Sequence, residues 1–244
     1  MAKKNSKYNL SFITDEDLKK HTLETMSRFR TGMSLAEFRK NIVDPIKLTF
    51  DAHVYRRSIE EVIDAEYFKQ LSKSNEDAIN FFHQTIFGYL KNQWQMLGLG
   101  DDEWDIENQK EHVFVKFKDR YDSKTTNDTR FIHARMRGLI EGDSKARCYL
   151  VEIVTKTSHD VPWMMKNAHL REDRQERLRR ISIDRFYELV TGKVSAFTDL
   201  CLILGQVIKD TLDEHPQQTK HALALQELKT KEKDVFAALL RLRD

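Results

Sequence analysis

Two short runs of alternating residues in the middle of the chain restrict its fold more than any other feature. EWDIEN at 103–108 and HVFVKFK at 112–118 alternate between polar and apolar residues, as half-buried strands do. The polar QKE between them suits a hairpin turn. A helical pattern at 126–141 and the apolar, β-branched run RCYLVEIVT at 147–155 follow, and the latter predicts a buried central strand. The order strand, strand, helix, strand predicts a mixed sheet with a crossover helix.

Helical patterns surround this sheet-forming segment on both sides. The chain has only 8 Gly and 3 Pro in 244 residues, so few positions interrupt long helices. We therefore predict an α/β fold in which helices flank a mixed central sheet. The prediction is one domain, residues 1–244, with a helical portion at 1–98, a catalytic core at 99–193 and C-terminal helices at 194–244.

Capping boxes predict where two of the N-terminal helices begin. Ser34 with Glu37, and Ser58 with Glu61, each have the spacing of this motif, in which two side chains satisfy the first backbone N–H groups of a helix. Apolar residues at helical spacing follow the first of these motifs. They predict one continuous helix with the following residues on its inner face: Phe38, Ile42, Ile46 and Phe50.

The composition favours a cytoplasmic protein that does not span a membrane. No stretch of eighteen apolar residues is present, and the N-terminal MAKKNSKYNLSF is basic without the apolar region of a secretory signal. Cys148 and Cys201 lie in apolar runs and are predicted to be buried free thiols. The net charge of +2 neither establishes nor excludes a nucleic-acid partner, because a carboxylate-rich site can offset a basic cleft elsewhere.

The candidate catalytic residues are Asp105, Lys116 and Lys118. Metal-dependent hydrolysis of a phosphodiester needs carboxylates to hold the cation and a positive charge near the attacking water. This need is met by an acid on one strand and an acid-x-Lys motif on the next. Because every second side chain of a strand lies on the same face, the acid and the lysine of the motif can face one metal ion. By itself the pattern is weak, and a charged pair on the face of an edge strand is its common structural explanation.

Six segments of the chain resemble a family of type II restriction endonucleases that cuts GGNCC-type sites. The resemblance implies a PD-(D/E)XK nuclease fold, dependence on Mg²⁺, and a homodimer acting on double-stranded DNA at a pseudo-palindromic site. The segments, in the same order throughout, are NIVDPIKLTFDAHV (41–54), NEDAINFFHQTIFGYL (75–90), WDIEN (104–108), VFVKFKDRYDS (113–123), CYLVEIVTKTSHDVPW (148–163) and RLRRISIDRFYELVTGK (177–193).

The resemblance implies roles for individual residues, with one departure. Asp105 matches the metal-binding aspartate and Lys118 the catalytic lysine, but Lys116 stands where the family has an acid. Exchange of a carboxylate for an ammonium changes the local charge by two units, and each unit is worth about 4 kcal/mol at about 4 Å and an effective dielectric near 20. Lys116 should therefore weaken Mg²⁺ binding unless another acid replaces the missing one, and Glu107 and Glu152 are the candidates.

Three explanations of Lys116 remain open at this point: an acid that has migrated to another element, a naturally impaired nuclease, or an engineered inactive variant. Lys116 could also pair with a DNA phosphate, so that the chain would bind its target specifically without cutting it. Gln84, on an early helix, could help to position the active site, or it could be a satisfied polar residue between helices.

Candidate DNA-binding residues come partly from the arginine-rich run at 171–180. Arginine reads guanine in the major groove, but the acids in the same run could pair with these arginines on a solvated helix face. Other basic residues are candidates for phosphate contacts. The full predicted set is Lys124, Arg130, Arg135, Arg137, Lys166, Arg171, Arg174 and Arg177.

Overall fold

The computed structural model describes residues 6–40, 44–90, 94–96, 104–119, 127–165 and 176–216. Helices fill its N-terminal part: α1 (Asp15–Arg28), α2 (Leu35–Lys40), α3 (Pro45–Tyr55), α4 (Ile59–Ser74) and α5 (Glu76–Thr85), then a 3₁₀ turn (Ile86–Tyr89). The remaining elements are β1 (Gln95–Met96), β2 (Ile106–Asn108), β3 (Val113–Lys118), α6 (Asn127–Gly142), β4 (Arg147–Glu152), β5 (Asp160–Pro162), β6 (Leu178–Ser182), α7 (Ile183–Thr191) and α8 (Ala196–Glu214).

The six strands form one sheet in the order β1-β2-β3-β4-β6-β5. The β1–β2, β2–β3 and β5–β6 pairs are antiparallel, whereas β3–β4 and β4–β6 are parallel. The predicted α/β fold with a mixed sheet flanked by helices is confirmed. The crossover helix is α6, which connects the parallel strands β3 and β4 as a parallel connection requires.

Alternation along the strands separates two apolar layers. Val115 and Phe117 of β3 point into the larger core, which also contains Val151 of β4 and Phe186 of α7. Cys148 and Leu150 point to the opposite face, where α6 and Trp163 cover them. Lys116 and Lys118 share this second face, because side chains two residues apart on a strand lie on one side.

The chain divides into two compact units, residues 1–22 with 80–209, and residues 23–79 with 210–244. The sheet and all described candidate catalytic residues belong to the first unit. In the second unit, α3 and α4 pack through Leu48, Ala52 and Val62. The Tyr67 hydroxyl accepts a hydrogen bond from the backbone N–H of Met33 at 2.7 Å.

The predicted continuous helix from Phe38 to Phe50 is wrong. Helix α2 ends at Lys40, and α3 begins at Pro45 after the N-cap Asp44, whose carboxylate accepts the Ile46 N–H at 2.9 Å. Proline lacks the N–H that a helix interior needs and is favoured in the first turn, which explains the new start. Phe38 is buried as predicted, but Ile46 and Phe50 are 67% and 64% exposed, and Ile42 lies outside the described residues.

Both capping boxes are confirmed. The Ser34 hydroxyl accepts the Glu37 N–H at 3.3 Å, and the Glu37 carboxylate accepts the Ser34 N–H at 2.9 Å. Ser58 and Glu61 make the same reciprocal pair at the start of α4, at 3.2 and 2.9 Å. Of the predicted C-terminal helices, α8 is described, and residues 217–244 lie outside the described residues.

No single helix in the described ranges is long and apolar enough to cross a membrane. Helices α7 and α8 together meet the criteria of length and composition for a bent pair, with an angle of 102° between them.

The two cysteines differ, which corrects half of the prediction for them. Cys148 is fully buried on β4, and burial raises the pKa of its thiol to about 12. Cys201 is exposed on α8. Partial burial raises the pKa of the Cys201 thiol as well, and only the thiolate is reactive. We therefore expect the Cys201 thiol to react with a colorimetric disulfide reagent in the native chain, faster as the pH is raised from about 8 to about 9, and the Cys148 thiol to react only after unfolding. Loss of the native-state reaction in Cys201→Ser would assign it, and two reactive thiols in the native chain would contradict the burial of Cys148.

A buried histidine predicts a loss of stability in mild acid. Burial lowers the pKa of His133, whose Nε2 lies 3.2 Å from the Trp163 carbonyl oxygen. The unfolded chain therefore binds a proton near pH 6.5 that the folded chain does not, and stability falls as the pH decreases below that value. Urea unfolding at pH 7.5 and 5.5 should show a smaller decrease in the free energy of unfolding for His133→Gln than for the native chain. Equal decreases would contradict this role.

Candidate active site

The predicted catalytic residues lie on one face of the sheet. Asp105 immediately precedes β2, and its N–H donates to the Val115 carbonyl of β3 at 3.0 Å. The β2–β3 pairing therefore extends to Asp105. This register places Asp105 beside Lys116. Lys118 is in register with Glu152 on the other neighbouring strand, β4. The structure therefore brings together an aspartate, two lysines and a glutamate from three adjacent strands.

Asp105 is buried, with 4% of its surface exposed, and both of its carboxylate oxygens have donors. The Lys116 ammonium donates to Oδ1 at 3.1 Å, and the Phe117 backbone N–H donates to Oδ2 at 2.6 Å. Burial raises the pKa of Asp105 and outweighs the opposing effects of the Phe117 hydrogen bond and the Lys116 charge. The ammonium of Lys116 therefore occupies one oxygen of the carboxylate predicted to bind metal.

Lys118 is held by a residue that the sequence did not indicate. Its ammonium donates to the Thr129 hydroxyl at 2.9 Å, and Thr129 is buried in the first turn of α6. The crossover helix thus positions the end of the lysine side chain. The proximity of Thr129 depends on how α6 crosses the sheet, which its own neighbours in the sequence do not reveal.

Glu152 is buried at the end of β4 and is already engaged. Arg180 of β6 donates from Nε to its Oε1 at 2.5 Å, and the Nε2 of His159 lies 3.6 Å from the same oxygen. Glu152, His159 and Arg180 line a cavity of about 550 Å³, together with Lys156 and neighbouring loop residues. Alternation in LRRIS places Arg180 on the face of Glu152, and this signal could have identified the pair.

Glu107, the other candidate for the missing acid, is buried nearer the β2–β3 turn. Its register partner is Phe114, and its Oε1 accepts a hydrogen bond from Gln109 at 2.7 Å. Glu107 is thus displaced from Asp105 towards the turn, away from the end of β3 at which Lys118 lies. Of the two acids, Glu152 is in register with Lys118.

These side chains, in their present positions, do not fit a magnesium site. Mg²⁺ prefers near-octahedral coordination by oxygen atoms, usually with one or two carboxylates. Asp105 has donors on both oxygens, and Arg180 engages Glu152. Within the described ranges, no three His, Cys, Asp or Glu side chains are grouped so that they could hold a metal ion.

Two polar atoms at the end of α5 are buried without a hydrogen-bond partner among the described residues, His83 Nδ1 and Gln84 Oε1. Burial lowers the pKa of His83, and the charge of Asp119, just after β3, opposes this effect. The role predicted for Gln84 in positioning the active site stays a prediction.

The described basic residues predicted to contact DNA are found on α6 and at the start of β6. Arg130 and Arg135 are exposed, and the guanidinium of Arg135 lies 5.6 Å from the ring centre of Trp104. Arg137 pairs with Glu141 at 2.9 Å. DNA contact by these residues stays a prediction. The four predicted residues outside the described ranges are Lys124, Lys166, Arg171 and Arg174.

Arg177 has a structural role that the sequence did not suggest. Its guanidinium donates to the carbonyl oxygens of Ile140, Asp143 and Ala146 at 3.0 to 3.1 Å. These carbonyls lie at and just after the C-terminal end of α6, where helix carbonyls lack partners within the helix. In the same run, Arg179 pairs with Glu176 at 2.5 Å, but Arg179 lies on strand β6, so the predicted helix face is wrong for the described end of the run.

Comparison with known proteins shows that this chain is similar to type II restriction enzymes. A family model described as Eco47II restriction endonuclease matches residues 10–213. The chain is 27% identical over 227 residues to the type II restriction enzyme Sau96I of Staphylococcus aureus, covering 88% of this chain and 86% of that protein. It is 28% identical over 218 residues to the type II restriction enzyme Eco47II of Escherichia coli, covering 84% and 89%. No solved structure matches.

These matches define the chain as a type II site-specific deoxyribonuclease. The chain belongs to the Eco47II restriction endonuclease family, whose model covers the whole sheet and the candidate active site. The resemblance seen in the sequence is thereby confirmed.

Proposed function

We propose that this chain cleaves both strands of double-stranded DNA at a GGNCC-like site and requires Mg²⁺ to do so. The observation that carries the proposal is the presence of Asp105 and Lys118 on one face of adjacent strands, within the region shared with type II restriction enzymes. Lys118, held by Thr129, orients the attacking water and balances the charge that develops on the phosphate.

The proposed Mg²⁺ requirement implies a rearrangement of the described side chains. A bound Mg²⁺ would be held by Asp105 and a second carboxylate and would offset the charge of the scissile phosphate, but the Lys116 ammonium now donates to Oδ1 of Asp105. We propose Glu152 as that carboxylate, because it is in register with Lys118, whereas Glu107 is paired with Phe114 nearer the turn.

A second candidate function is specific DNA binding with little or no cleavage. The observation that favours it is the ion pair between Lys116 and Asp105. In this pair the Lys116 ammonium occupies the place that a divalent cation would take. On this account the chain retains the recognition surface of the family and lacks an efficient catalytic site.

Cleavage assays on the native chain and on Lys116→Glu separate the two candidates. Each protein is incubated with Mg²⁺ and a plasmid that contains GGNCC sites, with Lys110→Glu as a control of equal charge change at the exposed hairpin turn. Discrete cutting by the native chain supports the enzyme. Cutting by Lys116→Glu alone supports the binding protein and identifies residue 116 as the missing ligand.

We also propose that the chain acts as a homodimer, since a pseudo-palindromic site calls for two-fold symmetry in the protein. Helix α3 presents an apolar stripe, Ile46, Phe50 and Val54, with each residue at least 64% exposed, and we propose that a second copy covers it. Sedimentation equilibrium should give twice the chain mass for the native protein and the chain mass for Phe50→Asp. A native monomer on target DNA would contradict the dimer, and a dimeric Phe50→Asp would place the contact elsewhere.

A further inference from the structure

The charge balance around Asp105 is unusual for a site that receives a phosphodiester. Asp105, Lys116 and Lys118 lie together on one sheet face with a formal charge of +1, and buried Glu107, nearer the turn on the same face, brings the sum to zero. The Lys116 side chain is 18% exposed and the Asp105 side chain 4%, so the ammonium is the more accessible partner of the ion pair. Glu152 on the same face is compensated by Arg180 at 2.5 Å.

A DNA phosphate that approaches a buried, uncompensated carboxylate is repelled, and the repulsion is strong because the surroundings screen it poorly. A divalent cation removes that repulsion when the site has no cation of its own. Here the chain itself supplies the positive charge, since the Lys116 ammonium is 3.1 Å from the Asp105 carboxylate. The phosphate therefore meets two lysines and a neutralised aspartate.

We propose that Lys116 acts as a built-in counterion, so that the chain binds its DNA target at full affinity without a divalent cation. The inference rests on the proposed DNA target. Any requirement for a divalent cation is then confined to the cleavage step.

Binding measurements in the presence and absence of a divalent cation test this proposal. Fluorescence anisotropy is recorded for a labelled GGNCC duplex and for a duplex of the same composition with the site scrambled. Each titration is run in EDTA and in Ca²⁺ at equal ionic strength, because Ca²⁺ takes the same oxygen ligands as Mg²⁺ and salt alone changes DNA affinity. The proteins are the native chain, Lys116→Glu, Lys116→Met and the control Lys110→Glu.

For the native chain and for Lys110→Glu, we expect the Kd for the GGNCC duplex to differ by less than about threefold between EDTA and Ca²⁺. Lys116→Glu should bind about tenfold or more weakly in EDTA and regain affinity in Ca²⁺, with Lys116→Met between the two. Thermal unfolding of each variant reports whether it is folded, and the comparison of the two conditions for the native chain needs no variant.

Two results would overturn the proposal, and they are distinguishable. If the native chain prefers the GGNCC duplex only when Ca²⁺ is present, the counterion role of Lys116 is wrong while the proposed DNA target stands. If it fails to distinguish the two duplexes in either condition, the proposed target is wrong and the inference falls with it.

Discussion

Replacement of Lys118 by methionine is expected to lower the rate of DNA cleavage by about 10²–10³-fold, because it removes a positive charge that the protein holds ready for the transition state. Methionine retains the length of the side chain but cannot donate to the Thr129 hydroxyl, which now accepts from the lysine at 2.9 Å. Single-turnover cleavage of a duplex with one GGNCC site measures the effect, and anisotropy with the same duplex measures binding.

The pattern of effects separates a catalytic role from a merely structural one. Lys118→Met should leave target binding within about tenfold of the native value, since one phosphate contact contributes modestly to the total. Lys110→Met on the exposed hairpin turn serves as the matched control and should cleave at the native rate. A Lys118→Met protein that is folded and retains more than about a tenth of the native rate would remove this lysine from the active site.

Replacement of Glu152 by glutamine is expected to lower cleavage by about 10²-fold, whereas Glu107→Gln should change it by less than about threefold. The difference arises from register: Glu152 lies beside Lys118 on the neighbouring parallel strand, and Glu107 lies beside Phe114 towards the turn. Glutamine can still accept the hydrogen bond from Arg180, so the fold around the cavity should persist.

The measurements for this pair are the single-turnover rate and its dependence on Mg²⁺ concentration. A Glu152→Gln protein should need more Mg²⁺ as well as cleave more slowly, because the variant lacks the proposed second carboxylate. If Glu107→Gln shows the large effect instead, the missing acid comes from β2 and the assignment to β4 is wrong.

The sequence predicted the central sheet because periodicity of two is a local signal. Alternation at 112–118 identified β3 and the face shared by Lys116 and Lys118, and the apolar run at 147–155 identified β4 as a buried strand. The helix predicted through Phe50 failed because a periodic apolar pattern continued past Pro45, and the proline and its Asp44 cap determined where the helix restarts.

The chemical state of the site could be predicted only in part. The sequence placed Asp105 and Lys116 on successive strands, but their ion pair and the engagement of both Asp105 oxygens depend on the register between β2 and β3. The contacts of Lys118 with Thr129 and of Arg177 with the end of α6 join residues of different elements, 11 and 37 positions apart. Such contacts arise from tertiary packing, which local periodicity in the sequence does not predict.

Mapping the cut ends of a defined duplex shows directly whether the face bearing Asp105 and Lys118 cleaves DNA at a GGNCC-like site. The native chain is incubated with Mg²⁺ and a linear duplex that carries a single GGNCC site, and the product ends are mapped on both strands. We expect the native chain to give two discrete fragments cut at that site, and Lys118→Met to leave the duplex intact. An intact duplex with the native chain, while anisotropy shows the site to be specifically bound, would contradict cleavage and leave DNA binding as the function.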